Sequence, residues 1–247
     1  KLRLLITTAA RTRSIDAAAC AERGIVFCGT PSFGDPTVDI TWGLITGLMR
    51  DLPAQQAALR AGQWQTSVGW GLEGQTLGVV GLGKLGARVA KVGLAFGMKV
   101  VAWSTNLTEE RAAEVGVTRV DKATLLSTAD VVTLHLILSD RSRGIIGAAD
   151  LAQMKRTAFI VNTSRGPLID QDALIAALKA GTIAGAGIDV FDIEPLPKDH
   201  AILSAPNTFL TPHLGYVTQQ NYRAYYQGAV EAIAAFNAGA PVRVIAP

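Results

Sequence analysis

Among the 247 residues only three are histidines, His135, His200 and His213, and histidine is the side chain that exchanges protons near neutral pH. His213 follows the strand-like Thr208-Phe209-Leu210 within Thr211-Pro212-His213-Leu214-Gly215, where Pro212 restricts the backbone and Gly215 permits another segment or a ligand to come close. His200 lies in the loop Pro197-Lys198-Asp199-His200 and reads as a solvated side chain. His135 ends an apolar run, either as a hydrogen-bonded core residue or as part of a ligand-binding edge. Arg165, in Asn162-Thr163-Ser164-Arg165-Gly166-Pro167, offers a planar fork suited to a carboxylate or a carbonyl oxygen. Glu194 sits in a proline-rich turn after another apolar run. Singly, Arg165 and Glu194 read as surface charges; at successive strand ends, the three groups can line one cleft.

Those ends belong to a regular series. Met98 to Trp103, Asp130 to His135, Ala158 to Asn162 and Ala186 to Val190 are short, near-continuous apolar runs separated by helical stretches. The stretch 170–179 has Asp170 as N-cap and Gly181 just past its end. Strands buried on both faces and alternating with helices imply an α/β fold with a doubly wound parallel sheet, whose ligands bind at the carboxyl ends of the strands.

The first strand of that series, Thr76-Leu77-Gly78-Val79-Val80, runs directly into Gly81-Leu82-Gly83-Lys84-Leu85-Gly86 and a helix. A lone glycine fingerprint is weak, but this one has the strand before it and the helix after it. Gly81 permits the tight turn, Gly83 lets backbone approach a pyrophosphate, and Gly86 lets the helix pack on the strand. The N–H groups of the helix start, at Lys84 and Leu85, are placed to hold phosphates. An acidic residue ordinarily ends the second strand and binds the adenosine ribose; Ser104, Thr105 and Asn106 stand there instead. A 2′-phosphate would meet no like charge, which favours NADP over NAD, although no arginine follows Ser104 and the nearby Lys84 and Arg111 could face solvent. His135 and Thr163, at two further strand ends, complete this candidate cofactor-binding set.

Composition removes other classes. The chain is 49% hydrophobic and 17% charged, a globular profile, and 23 basic against 20 acidic residues leave a net charge of +3, too balanced for a nucleic-acid face. Cys20 and Cys28 have no metal-ligand spacing and read as buried apolar residues in a reducing compartment. No run approaches a membrane span and no signal-peptide pattern opens the chain, so a cytoplasmic protein is expected. Residues 1–28 read as strand, helix and strand, with Gly24 after the helix. Residues 36–49 read as a helix apolar around most of its circumference, suited to a domain connection or a homodimer interface.

Four motifs in order, GLGKLG at 81–86, NTSRGPLID at 162–170, GIDVFDIEPLP at 187–197 and TPHLG at 211–215, resemble the D-isomer-specific 2-hydroxyacid dehydrogenases over nearly the whole chain. The resemblance implies a catalytic set of Arg165, Glu194 and His213, with Asp189 holding the nicotinamide carboxamide. It implies hydride transfer between NAD(P)H and a small 2-keto or D-2-hydroxy acid of the glyoxylate, hydroxypyruvate or 3-phosphoglycerate type. His213 would then be the general acid and base, Glu194 would fix its tautomer, and Arg165 would polarise the carbonyl and anchor the carboxylate. Formate dehydrogenases of the same superfamily have glutamine in the position of Glu194, which argues against formate. A phosphite dehydrogenase, a dinucleotide-sensing co-repressor-like protein and an inactive truncated homologue are the rival readings.

The sequence departs from the family in two places. Members carry further strands and helices ahead of the strand at Leu2, so residues 1–33 and 219–247 are expected to form an incomplete flavodoxin-like substrate domain beside a dinucleotide-binding domain at 34–218. An uncovered sheet edge would follow, leaving either a fragment or a gap filled by a partner subunit. Where many relatives have a Val-Gly-Tyr-Asp-like turn whose amides bind the substrate carboxylate, this chain has Thr8 to Asp16, with Ala10 and Arg11 as candidate substrate-binding residues.

Overall fold

The computed structural model describes every residue except Arg11 and Arg13, and the chain divides into two compact units, Lys1–Pro36 with Tyr216–Pro247, and Thr37–Gly215. The smaller unit begins with β1 (Leu4–Thr7), α1 (Ala17–Glu22) and β2 (Val26–Gly29). The two strands pair in parallel from Leu4↔Val26 to Thr7↔Gly29. Asp16 caps α1 by accepting the Ala19 N–H at 3.0 Å, and Gly24 turns the chain out at φ +65°. Cys20 and Cys28 are both buried, as their apolar reading expects.

The larger unit contains α2 (Thr37–Met49), α3 (Leu52–Arg60), β3 (Thr76–Val80), α4 (Lys84–Ala95), β4 (Lys99–Trp103), α5 (Glu109–Val115), β5 (Thr118–Arg119), α6 (Lys122–Thr128), β6 (Val131–Leu134), α7 (Ala148–Leu151), β7 (Phe159–Asn162), α8 (Gln171–Ala180), β8 (Gly185–Ile188) and β9 (Thr208–Leu210). Its strands form one parallel sheet in the order β5-β4-β3-β6-β7-β8-β9. The order in which successive strands are added reverses between β3 and β6, the switch point where an α/β sheet opens a crevice beyond its strand ends. The helices start and stop by local chemistry. Thr108, Asp121 and Asp170 accept N–H groups of α5, α6 and α8, while Gly116 and Gly181 end α5 and α8 in the left-handed region.

Why the strands read as unbroken apolar runs is visible in the core. Leu77, Val79, Val131 and Val161 face one layer with α2 and α4; Val80, Val132, Leu134 and Ile160 face the other with α6 and α8. Alternate side chains point to opposite faces of a strand, and here both faces are covered.

The helix α2 corrects one expectation. Its apolar circumference is spent within its own unit: Val38, Trp42, Leu44, Ile45 and Met49 are buried in the core layer, and a Cβ on Gly187 of β8 would come to 3.0 Å from both Leu44 and Leu48. Little apolar surface remains on α2 for a second subunit. Exposed apolar surface lies instead on α3, which buries none of its residues, and on the segment after it, where Trp64 is 76% and Val68 98% exposed.

After the larger unit the chain returns to the smaller one through α9 (Gln219–Asn237), whose Gly228 lies so close to Pro31 that a Cβ would overlap its ring. The C-terminal segment then runs antiparallel to the outer edge of β2, with Gly29 N–H donating to Arg243 O at 2.9 Å and Ile245 N–H to Phe27 O at 2.7 Å. Among the described residues β1 pairs only with β2. No described helix is long and apolar enough to cross a membrane.

Candidate active site

Because every strand of the larger unit is parallel, the loops after β3, β4, β6, β7, β8 and β9 emerge from one edge of the sheet. Gly81, Ser104, His135, Thr163, Arg165, Asp189, Glu194 and His213 all lie on these loops.

His213 and Glu194 meet. Nδ1 of His213 lies 2.6 Å from Oε2 of Glu194, and both side chains are about one-third exposed, at 33% and 35%. The other carboxylate oxygen, Oε1, accepts the N–H of Phe191 at 2.9 Å, so the turn that carries Glu194 also fixes the direction of its carboxylate. His213 has φ +54°, a left-handed conformation that costs a non-glycine residue energy unless its surroundings hold it. Asp189 supplies that hold. Its carbonyl accepts the His213 N–H at 2.8 Å; its Oδ1 accepts the Thr211 hydroxyl at 2.6 Å and the Leu214 N–H at 2.7 Å; its Oδ2 accepts the Gly215 N–H at 2.9 Å. Asp189 is fully buried, and this set of donors compensates for taking a carboxylate out of water. Both carboxylate oxygens of Asp189 therefore bind the loop that presents His213.

A buried line of hydroxyls backs the same loops. Thr163 Oγ1 and Thr41 Oγ1 are 2.7 Å apart, Thr41 donates to Thr37 O at 2.8 Å, and Thr37 Oγ1 donates to Gly215 O at 3.1 Å. Thr163 is thus bonded to α2 behind the edge.

Arg165 is exposed at the tip of the β7 loop, and its Nη1 donates to Ser164 O at 2.6 Å. Ser164 in turn donates to Leu136 O at 2.7 Å, joining the β7 loop to the β6 loop.

The glycine loop after β3 has the geometry a dinucleotide needs. Gly81 adopts φ +100°, and a Cβ there would sit 2.8 Å from His135 O; a Cβ on Gly86 would overlap the carbonyl oxygen of Gly81. Both are therefore required by packing alone. Gly83 differs: nothing lies within 4 Å of the position its Cβ would take, and it is the N-cap of α4 with no side chain capping the helix. Open space over a bare helix N-terminus, at the switch point of the sheet, suits pyrophosphate oxygens. Lys84 is exposed and Leu85 half-buried at the same start.

His135 backs this loop. It is half-buried, Nε2 lies 2.9 Å from Thr133 Oγ1, and desolvation pushes its pKa from 6.5 to about 4, so the ring is neutral at physiological pH. At the end of β4, Ser104 is half-buried and Thr105 and Asn106 are exposed. Arg111 pairs with Glu114 at 2.9 Å; Arg119, which the sequence did not single out, donates to Leu107 O at 2.8 Å and to Glu109 at 3.0 Å beside that turn. His200 caps a short 3-10 turn by accepting the Ile202 N–H at 3.2 Å rather than being merely solvated. Ala10 is exposed beyond β1 in the smaller unit, and Arg11 lies outside the described residues.

Residues 42–215 match the family model of the D-isomer specific 2-hydroxyacid dehydrogenase, NAD binding domain. A glyoxylate reductase of Korarchaeum cryptofilum is 36% identical over 246 residues, covering 97% of this chain and 74% of that protein. Among solved structures, a phosphoglycerate oxidoreductase of Vibrio cholerae superposes with a TM-score of 0.91 at 37% identity, covering 97% of this chain and 78% of that one. A D-lactate dehydrogenase of Aquifex aeolicus, solved with NAD and lactic acid, superposes with a TM-score of 0.82 at 28% identity, over 96% and 77% of the two chains. With its parallel sheet, its glycine loop at the switch point and these relatives, the chain belongs to the D-isomer-specific 2-hydroxyacid dehydrogenases, oxidoreductases that use a nicotinamide dinucleotide.

Proposed function

We propose that this chain interconverts a small 2-keto acid and its D-2-hydroxy acid, of the glyoxylate, hydroxypyruvate or 3-phosphoglycerate type, with Arg165, Glu194 and His213 as its catalytic residues. The observation that carries this reading is the 2.6 Å pairing of His213 with Glu194 on the strand-end edge that also bears Arg165 and the glycine loop. The backbone at Gly83 and the N–H groups at Lys84 and Leu85, on a loop whose shape Gly81 and Gly86 permit, would hold the dinucleotide phosphates, and the dinucleotide when bound would bring a hydride donor or acceptor to the site.

In the reductive direction, with the hydride supplied by the dinucleotide when bound, the carbonyl oxygen would gather negative charge. Arg165 offsets that charge and grips the substrate carboxylate, an electrostatic contribution of several kcal/mol at about the scale of one oxyanion donor. His213, oriented through Nδ1 by Glu194, delivers a proton from Nε2 to the oxygen, and the hydroxy acid results. Oxidation reverses each transfer. Asp189 serves this scheme by holding the loop of His213 in a left-handed conformation; its contact to the carboxamide is the second role we assign it.

For the cofactor, NADP is the reading we favour, with NAD as the alternative. Its support is the absence of a carboxylate at Ser104, where hydroxyls and an amide would receive a 2′-phosphate. For assembly we propose a homodimer, with a second copy covering the exposed Leu52, Leu59, Trp64, Val68 and Trp70.

A screen of glyoxylate, hydroxypyruvate, 3-phosphohydroxypyruvate and phosphite against reduced and oxidised forms of both dinucleotides tests the activity. Turnover of at least one keto acid is expected. Tight dinucleotide binding with no turnover would leave a sensing protein instead, and turnover of phosphite alone would move the reaction class.

A further inference from the structure

We propose that Asn162 is a positioning residue for Arg165, acting by clamping the loop whose tip the arginine occupies. Asn162 ends β7 and is 1% exposed. A carboxamide both donates and accepts, and this one uses both functions on its own loop: Oδ1 accepts the Ser164 N–H at 3.0 Å, and Nδ2 donates to the Arg165 carbonyl at 2.8 Å. The clamp is itself anchored, because the Asn162 carbonyl accepts the Asp189 N–H at 3.0 Å. On the far side the loop rests on the turn that carries Glu194: a Cβ on Gly166 would overlap the Phe191 carbonyl group.

The consequence is specific to the arginine. With its own carbonyl and the N–H of the residue before it both held, the backbone at Arg165 has little freedom and side-chain torsions aim the guanidinium. Loss of the Nδ2 donor leaves the Arg165 carbonyl with only the longer bond from the Leu168 N–H, at 3.2 Å, and displacement of a positioning group by about 1 Å costs on the order of 100-fold in rate. No substrate atom needs to touch Asn162 for this to hold.

The inference rests on the role proposed above for Arg165, and a double-mutant cycle separates the two. Asn162→Asp keeps the volume and the acceptor for Ser164, while a carboxylate oxygen, with its charge, replaces the donor to the Arg165 carbonyl. In the otherwise native chain, kcat/KM for the keto acid should fall about 10- to 100-fold while dinucleotide Kd, read by fluorescence, stays within about twofold. In an Arg165→Lys background the same substitution should cost less than about threefold, because the group it acts through is already displaced. Asn162→Ser, smaller and still polar, runs through the same cycle should Asn162→Asp fail to fold. Wild-type kcat/KM in the Asn162 variants, or an equal loss in both backgrounds, overturns the positioning role. Wild-type kcat/KM in Arg165→Lys and Arg165→Ala alone overturns instead the role given to Arg165.

Discussion

Nδ1 of His213 lies 2.6 Å from Oε2 of Glu194, and the two residues come from loops after different strands, 19 positions apart in the sequence. A hydrogen bond to one ring nitrogen decides which nitrogen is left to exchange a proton, so this contact sets the chemistry of the imidazole as well as its place. The Phe191 N–H on Oε1 keeps the carboxylate from rotating away.

From that pairing, His213→Gln is expected to lower kcat by about 10²- to 10⁴-fold, the range for loss of a general acid. Glu194→Gln removes the charge but keeps the shape, and should cost about 10- to 100-fold, the worth of a charge-assisted hydrogen bond. Steady-state kinetics beside dinucleotide titration checks both; full turnover in either variant removes that residue from the scheme.

The glycine loop gives two opposite outcomes from one kind of substitution. At Gly83 an added methyl meets no protein atom, so Gly83→Ala should leave stability within about 1 kcal/mol while weakening dinucleotide binding about tenfold or more. Gly86→Ala, which meets the Gly81 carbonyl, should destabilise the fold itself by about 1–3 kcal/mol. Urea denaturation and dinucleotide titration distinguish them, and unchanged binding in Gly83→Ala would take that backbone out of the phosphate site.

His135 imposes a pH dependence on stability. Its pKa in the fold is about 4 against 6.5 when solvated, so between those values the unfolded chain binds the extra proton. Stability from this residue is fully present above about pH 6.5 and is lost as the pH falls towards 4. The shift corresponds to at most about 3 kcal/mol, less what solvent reaching a half-buried ring screens. A His135→Asn variant should flatten this part of the urea-midpoint profile; an identical slope in both proteins would assign the effect to other groups.

Cofactor choice is read at Ser104. A carboxylate there repels a 2′-phosphate, so Ser104→Asp should shift the NADPH to NADH ratio of kcat/KM towards NADH by about tenfold or more. A ratio that does not move would show that position 104 does not face the ribose.

Covering of Trp64 and Val68 by a second copy has a direct test in sedimentation. The native chain should sediment as a dimer, and Trp64→Lys with Val68→Lys should shift it to monomer without loss of helical signal. A native monomer at micromolar concentration ends the proposal.

Much of the molecule was legible in one dimension because its signals are local. Asp170 and Gly181 bound α8 through bonds within a turn of chain, and Gly81 is demanded by a φ of +100° at one residue. The central strands announced themselves because a sheet covered on both faces leaves their positions apolar, whereas the two-residue edge strand β5, polar and exposed, gave no such signal. Ordered motifs likewise marked Arg165, Glu194 and His213. What the order of residues left open concerns partners distant along the chain. An apolar circumference on α2 is equally consistent with a subunit interface and with the sheet it covers, and only the positions of β7, β8 and β9 decide for the sheet. The motif marked the carboxylate of Asp189 only as a ligand contact; that it also holds Thr211, Leu214 and Gly215 follows from β8 and β9 being neighbours. Asn162 looked like one polar residue among several until its strand end proved buried. Composition and spacing determine which short segments form and which groups can react; burial and strand order, which no local pattern encodes, determine what each group is bonded to.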